Sequence, residues 1–183
     1  ASDVYKRQTL DISKFTDGDS ADIKTFSEDL GNSFNQTGFA IIKNHGLTGE
    51  ITSSLYSTIK SFFELDDEKK IKYYFPELYG QRGYVVKGQE HAKGSFKGDL
   101  KEFFHIGNPA ISNPKNIWPI EVNDFEEIGT NAFLTLENIG LTLLKAIAIY
   151  LNLEEDYFTN KVKGGESIMR SCLLYTSDAA DDC

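Results

Sequence analysis

Histidine is scarce in this 183-residue chain, with only His45, His91 and His105 present. Few sites that rely on imidazole for metal binding or proton transfer can therefore be built. Cysteine is rarer still. Cys172 and Cys183 both lie in the last dozen residues, too close to one end for a disulfide framework and without the histidine pairing of a zinc site. Positive charge is also short: 19 Lys and Arg face 28 Asp and Glu, a formal net charge of -9 with a pI of about 4.8. A surface of that sign repels phosphate backbones, which argues against nucleic acid as a partner. No uninterrupted apolar run reads as long enough to span a bilayer, and no charged start followed by an apolar middle marks a secretory signal. The expectation is a protein without a membrane partner, located in the cytoplasm.

Aromatic residues, by contrast, are plentiful. Thirteen Phe and nine Tyr sit in a chain that is 40% hydrophobic and 26% charged, a globular mixture with ample core material. The two ends stand apart. The only methionine is Met169. ASDVYKRQ at the start and CLLYTSDAADDC at the finish break the patterning between them, and both resemble translated sequencing-adapter read-through. The expected organisation is an artefact-like tail over residues 1–8, one region over 9–171 with no linker inside it, and a second such tail over 172–183.

Periodicity within that region predicts α+β structure. Leu10 and Ile12 alternate with polar neighbours as in a short strand. After the Asp17-Gly18 turn, Asp19 or Ser20 can cap a helix whose Ile23, Phe26, Leu30 and Phe34 form one stripe, with Gly38 to end it. Phe39 to Lys43 reads as a buried strand closed by Asn44-His45-Gly46. Thr48 opens a helix with Ile51, Leu55, Ile59 and Phe62 on one face. Asp66, Asp67 and Glu68 start another, followed by Lys69, Lys70 and Lys72 as a solvated face, and Pro76 is the expected stop. Tyr79 to Gly98 reads as an ordered loop with one short strand, and Glu102 to Ile106 as a further strand. The longest element is a helix from about Asp124 to Leu151, apolar at Phe125, Ile128, Ala132, Leu136, Ile139, Leu143, Ile147 and Tyr150. A short helix around Asp156 and Phe158 follows, and a strand begins at Ser167.

Local motifs for chemistry are absent from the sequence. The residues two places after the three histidines are Leu47, Lys93 and Gly107, so no His-x-carboxylate pair of a non-haem iron site exists. No His-Glu-x-x-His helix, P-loop or nucleophile elbow occurs. No catalytic and no metal-binding residue is therefore assigned. His45 reads as a turn histidine bonded to nearby backbone, His105 as a satisfied, partly buried strand residue, and His91 as solvated.

Several segments in order carry a resemblance. Gly38-Phe-Ala-Ile-Ile-Lys-Asn-His-Gly-Leu47 ends a strand in Asn-His-Gly. Ser61-Phe-Phe-Glu-Leu-Asp-Asp-Glu-Lys-Lys70 follows one helix later. Arg82-Gly-Tyr84, Asp99-Leu-Lys-Glu-Phe-Phe-His105, Asn116-Ile-Trp-Pro119 and Ser167-Ile-Met-Arg170 come after. Together they resemble the N-terminal region of the isopenicillin N synthase-like, iron(II)- and 2-oxoglutarate-dependent dioxygenases. The resemblance implies a helix-rich N-terminal region with a few strands of a truncated double-stranded β-helix, or jelly roll. It implies a parent enzyme that uses Fe(II), 2-oxoglutarate and oxygen to hydroxylate, desaturate or cyclise a small molecule. The His-x-Asp pair, distant His and 2-oxoglutarate arginine of that family would lie beyond Ser171, so no cofactor is expected to bind this chain. Arg82 and Tyr84 are the candidate substrate-binding residues, with Lys101 and Arg170 behind them, because the family's loop here approaches the active-site mouth and an arginine can pair with a substrate carboxylate. A non-catalytic interaction module and an oxidase of the same fold that does not use 2-oxoglutarate remain as alternatives. If the core that would cover the long helix is missing, its apolar stripe is exposed and the chain is marginally soluble.

Overall fold

A computed structural model describes residues 8–90, 98–111 and 113–175. In chain order the elements are β1 (Thr9–Asp11), α1 (Ser13–Thr16), α2 (Ser20–Thr37), β2 (Ile41–Lys43), α3 (Gly49–Phe63), α4 (Asp67–Lys70), β3 (Gly83–Val85), β4 (Lys101–Gly107), α5 (Phe125–Tyr150), α6 (Thr159–Val162) and β5 (Ile168–Leu174). Two 3-10 turns, Ile71–Tyr73 and Pro76–Leu78, lead from α4 towards β3. The architecture is α+β, as the periodicity implied.

The chain divides into two compact units, Ala1–Thr48 with Thr135–Lys163, and Gly49–Leu134 with Gly164–Cys183. No composition shift marks the division, because one boundary falls inside the continuous helix α5.

In the first unit β1 and β2 pair in parallel, Leu10 opposite Ile42. Asp19 caps α2, its Oδ1 accepting the N–H groups of Ala21 and Asp22 at 2.9 and 3.0 Å. Gly38 ends the helix at φ 74°, a left-handed conformation that glycine adopts without steric cost. The core is hydrocarbon: Leu10, Ile12, Phe15, Phe26, Leu30 and Ala146, with Ile23, Ile139, Leu143 and Ile147 packed around them. Gly31 lies under the Tyr150 ring, so a side chain there would collide with it. β2 departs from the expectation of a buried strand. It is three residues long and Ile41 is exposed, because β1 is its only partner among the described residues. The last helix is also displaced, Asp156 and Phe158 preceding α6 rather than forming it.

In the second unit β3, β4 and β5 form an antiparallel sheet in that order. The registers place Gly83 opposite His105 and Arg170 opposite His105 from the other side. One sheet face carries Tyr84, Phe104 and Ile106 into a core with Phe62, Phe63, Tyr73, Phe125 and Phe133. Phe62 is its hub, with its ring 4.7 Å from Phe104 and 5.7 Å from Tyr84, both edge-on. Edge-to-face pairs set the positive rim of one ring against the negative face of the next, worth about 0.5–1.5 kcal/mol each beyond burial. α4 is one turn, not the helix to Pro76 that the sequence suggested. The backbone tightens into 3-10 geometry at Ile71, and Pro76 begins the next turn rather than ending the helix.

By length and composition alone α5 is apolar enough to cross a membrane, although no uninterrupted apolar run in it is that long. Glu137, Asn138 and Lys145 break any unbroken stretch while leaving the mean hydropathy high. Core helices pass the same test, but only 22% of the apolar window of α5 is buried, with Phe125, Ala132, Phe133, Ala146 and Ala148 among the buried positions of the helix.

Candidate functional site

The chemistry-bearing groups of the second unit gather on β3 and β4. Gly83 opens β3 at φ 73°, and a side chain there would meet the Tyr73 carbonyl. This turn sends the preceding residue, Arg82, across the sheet towards the end of β4. Its guanidinium lies against the Cα of Gly107, where any side chain would collide with it. Gly107 is itself fixed: its N–H donates to Asn116 Oδ1 at 2.7 Å and its carbonyl accepts from Asn116 Nδ2 at 2.8 Å. Asn108, next along, donates from its backbone N–H to Ser167 O at 3.1 Å and from Nδ2 to Gly165 O at 3.2 Å. The Gly164–Ser167 segment is thus tied beside Arg82.

Arg82 is 1% exposed. Nη1 donates to Gln81 O at 2.8 Å, whereas Nε and Nη2 find no acceptor among the described residues. Burial works against its charge and the nearby Glu166 carboxylate supports it. His105, 3% exposed, shares a strand face with Gly107. Its Nδ1 bonds the Gly80 carbonyl, which makes Nδ1 the protonated nitrogen, and Nε2 is a buried lone pair without a partner. Burial lowers its pKa, which keeps the ring neutral. The expectation of a satisfied His105 is therefore half right. The same face carries Phe103, stacked on His105, with the Arg170 guanidinium carbon 4.4 Å from the Phe103 ring centroid. Arg170 also pairs with Glu90 at 3.2 Å, and Lys101 with Asp99 at 2.8 Å.

Tyr84 points to the other face. Its hydroxyl donates to Glu102, which also accepts from the Tyr175 hydroxyl and, at 3.1 and 3.2 Å, from Lys70 Nζ. Burial and the carboxylate together push the Tyr84 phenol pKa up. Lys70 is 4% exposed and also reaches Asp67 at 3.1 Å, so it is not part of a solvated face. Glu102 supplies the counter-charge and hydrogen-bond acceptor that a buried lysine requires. Arg82 and Tyr84 are thus brought to opposite sides of one strand and do not form a single contact surface.

Sequence reasoning missed Glu102 and Lys70. A signal existed: Glu102 alternates with Phe104 and Ile106 on one face of Lys101–Gly107, an apolar face on which a carboxylate must be paired. Asn116 carried no such signal, since its role depends on a turn that returns it to Gly107.

His45 lies in the first unit, where its Nδ1 accepts the Leu47 N–H at 3.1 Å, the turn role expected of it. It lines a pocket of about 320 Å³ with Ile12, Thr16, Asn44, Gly46 and residues of α5. His91 falls outside the described residues. Among the described residues no three His, Cys, Asp or Glu side chains converge as metal ligands.

Residues 8–121 match the family model described as non-haem dioxygenase in morphine synthesis N-terminal. The chain belongs to this family. It is 28% identical over 179 residues to the 2-oxoglutarate-dependent dioxygenase ecdK of Aspergillus rugulosus, a match covering 88% of this chain and 54% of that protein. A 2OG-Fe(II) oxygenase family protein from Caulobacter crescentus superposes with a TM-score of 0.78 at 32% identity, over 91% of this chain and 55% of that one. A full-length Neurospora crassa protein, solved in complex with alpha-KG and thymine, gives 0.78 at 25% identity over 91% and 54%. The fold expected from the resemblance is the fold observed. The chain spans about half the length of these relatives. Its own described residues do not fit an iron centre, so no step through iron is derived from them.

Proposed function

We propose that this chain is the N-terminal portion of an Fe(II)- and 2-oxoglutarate-dependent oxygenase that hydroxylates, desaturates or cyclises a small molecule. The observation that carries this reading is the dioxygenase match over residues 8–121, supported by the 32% identity to a solved 2OG-Fe(II) oxygenase family protein. In the reading, iron and 2-oxoglutarate supply the oxidising chemistry on residues outside this chain. The chain contributes substrate contact through Arg82, whose uncommitted nitrogens Nε and Nη2 can donate to an acceptor. Tyr84, committed to Glu102, holds the strand that presents Arg82.

The test uses the longer protein containing residues 8–175, loaded anaerobically with iron(II) and 2-oxoglutarate and then exposed to oxygen. Iron-dependent formation of succinate, stimulated by one member of a small-molecule panel, is the expected result. A well-folded protein that neither binds 2-oxoglutarate nor turns it over refutes the reading. With the stimulating substrate in hand, Arg82→Lys should raise KM by about 10–100-fold, the worth of one charge-assisted contact, with a smaller change in kcat.

A further inference from the structure

A guanidinium has five N–H donors, and leaving them unpaired in a protein interior is costly. In Arg82 the uncommitted pair is specific. Nη1 is used by Gln81, and the atoms left over, Nε and Nη2, form the edge that offers two parallel N–H bonds to a carboxylate. The surroundings hold that edge in place. Gly83 sets the turn, Gly107 leaves the space and Asn116 fixes Gly107. His105 is two residues from Gly107 on the same strand face, roughly 6–7 Å along the strand. Its Nε2 is an acceptor, the complement of the Arg82 donors.

We infer that the Nε–Nη2 edge of Arg82 and the Nε2 atom of His105 together bind a short hydroxy acid, the carboxylate on Arg82 and the hydroxyl donating to His105. A hydroxyl fits better than an ammonium, since Arg82 and Arg170 both place positive charge near His105. Arg82 and His105 are both buried, and Asn108 ties Gly165 and Ser167 to the strand end beside Gly107. The inference rests on the oxygenase reading only in taking the acid to be the substrate. Binding without turnover would leave a carboxylate site and remove the oxygenation. Turnover without binding would leave the oxygenase and remove this substrate class.

The chain has three arginines, Arg7, Arg82 and Arg170, so their Nε–H signals are separable by NMR. The full chain is titrated with 3-hydroxybutyrate, butyrate and butyramide, in the wild type and in Glu166→Gln. The expected result is a saturable shift of the Arg82 Nε–H with both acids and none with the amide. 3-Hydroxybutyrate should bind about 2–10-fold more tightly than butyrate, the worth of one neutral hydrogen bond. Glu166→Gln should preserve the response. Equal affinity for the two acids overturns the His105 contact. No response to either acid overturns the site. An Arg82 signal that ignores the acids but moves in Glu166→Gln also overturns it, by showing that Glu166 is the acceptor.

Discussion

The two units solve burial in different ways. The first fills its interior with Leu10, Ile12, Phe26, Leu30 and Ala146, and its buried polar groups among the described residues are the hydroxyls of Ser27 and Ser33. The second sets Lys70 and Glu102 beside an aromatic hub on one sheet face and buries Arg82 and His105 on the other. Hydrocarbon interiors gain stability roughly with the area removed from water. Buried charges do not, because desolvation offsets most of what pairing returns. The difference teaches where to look for chemistry: the second unit keeps groups that stability alone gives no reason to keep.

The comparison breaks first, if it breaks, at Glu102. Glu102→Ala leaves Lys70 buried with only the exposed Asp67 as counter-charge and strands two tyrosine hydroxyls. The expected loss is about 3–5 kcal/mol in urea unfolding. Leu30→Ala probes the hydrocarbon unit, with an expected cost of about 2–5 kcal/mol as a cavity opens beneath Phe26. A Glu102→Ala variant as stable as wild type would erase the contrast.

A smaller effect sharpens the comparison through pH. Burial holds the folded-state pKa of His105 below its ordinary 6.5. The unfolded chain then takes the proton more readily, so the contribution is complete above about pH 6.5 and declines as pH falls below it. The urea midpoint should drop between pH 7.5 and 5.5, and His105→Gln should flatten that drop. An unchanged slope in the variant would mean that His105 is not the group responsible. The smallest effect is on the first unit. Asp19→Ala removes the cap of α2 and should cost about 1 kcal/mol by thermal unfolding, with no change at the Arg82 site.

Much of the first unit was legible in the sequence because its determinants are local. Asp19, the Phe26–Leu30 stripe and Gly38 each act within a few residues of themselves. The strands β3 and β4 were legible for the same reason. What could not be read was partnership at a distance. Lys70 looks like any lysine in Glu68-Lys-Lys70 until Glu102, thirty-two residues away, is placed beside it. Strand alternation would put Arg82 and Tyr84, two residues apart, on one face, yet the left-handed Gly83 between them turns Arg82 to the opposite one. The extent of burial around Arg82 depends on Gly107 and Asn116, neither of which announces its role. The family resemblance carried fold and class correctly, whereas the exposure of β2 and the brevity of α4 needed coordinates.

Asn116 has one more consequence. Its amide takes the N–H and the carbonyl of Gly107, the same two groups that a neighbouring strand would use. A side chain here imitates a strand and closes the corner of the sheet beyond the Gly83–His105 pair. A foreign strand cannot add at that corner without evicting it, and β4 cannot slide along β3 without leaving the amide unmatched. One asparagine thus acts as both a stopper against edge-to-edge association and a register pin for the ladder.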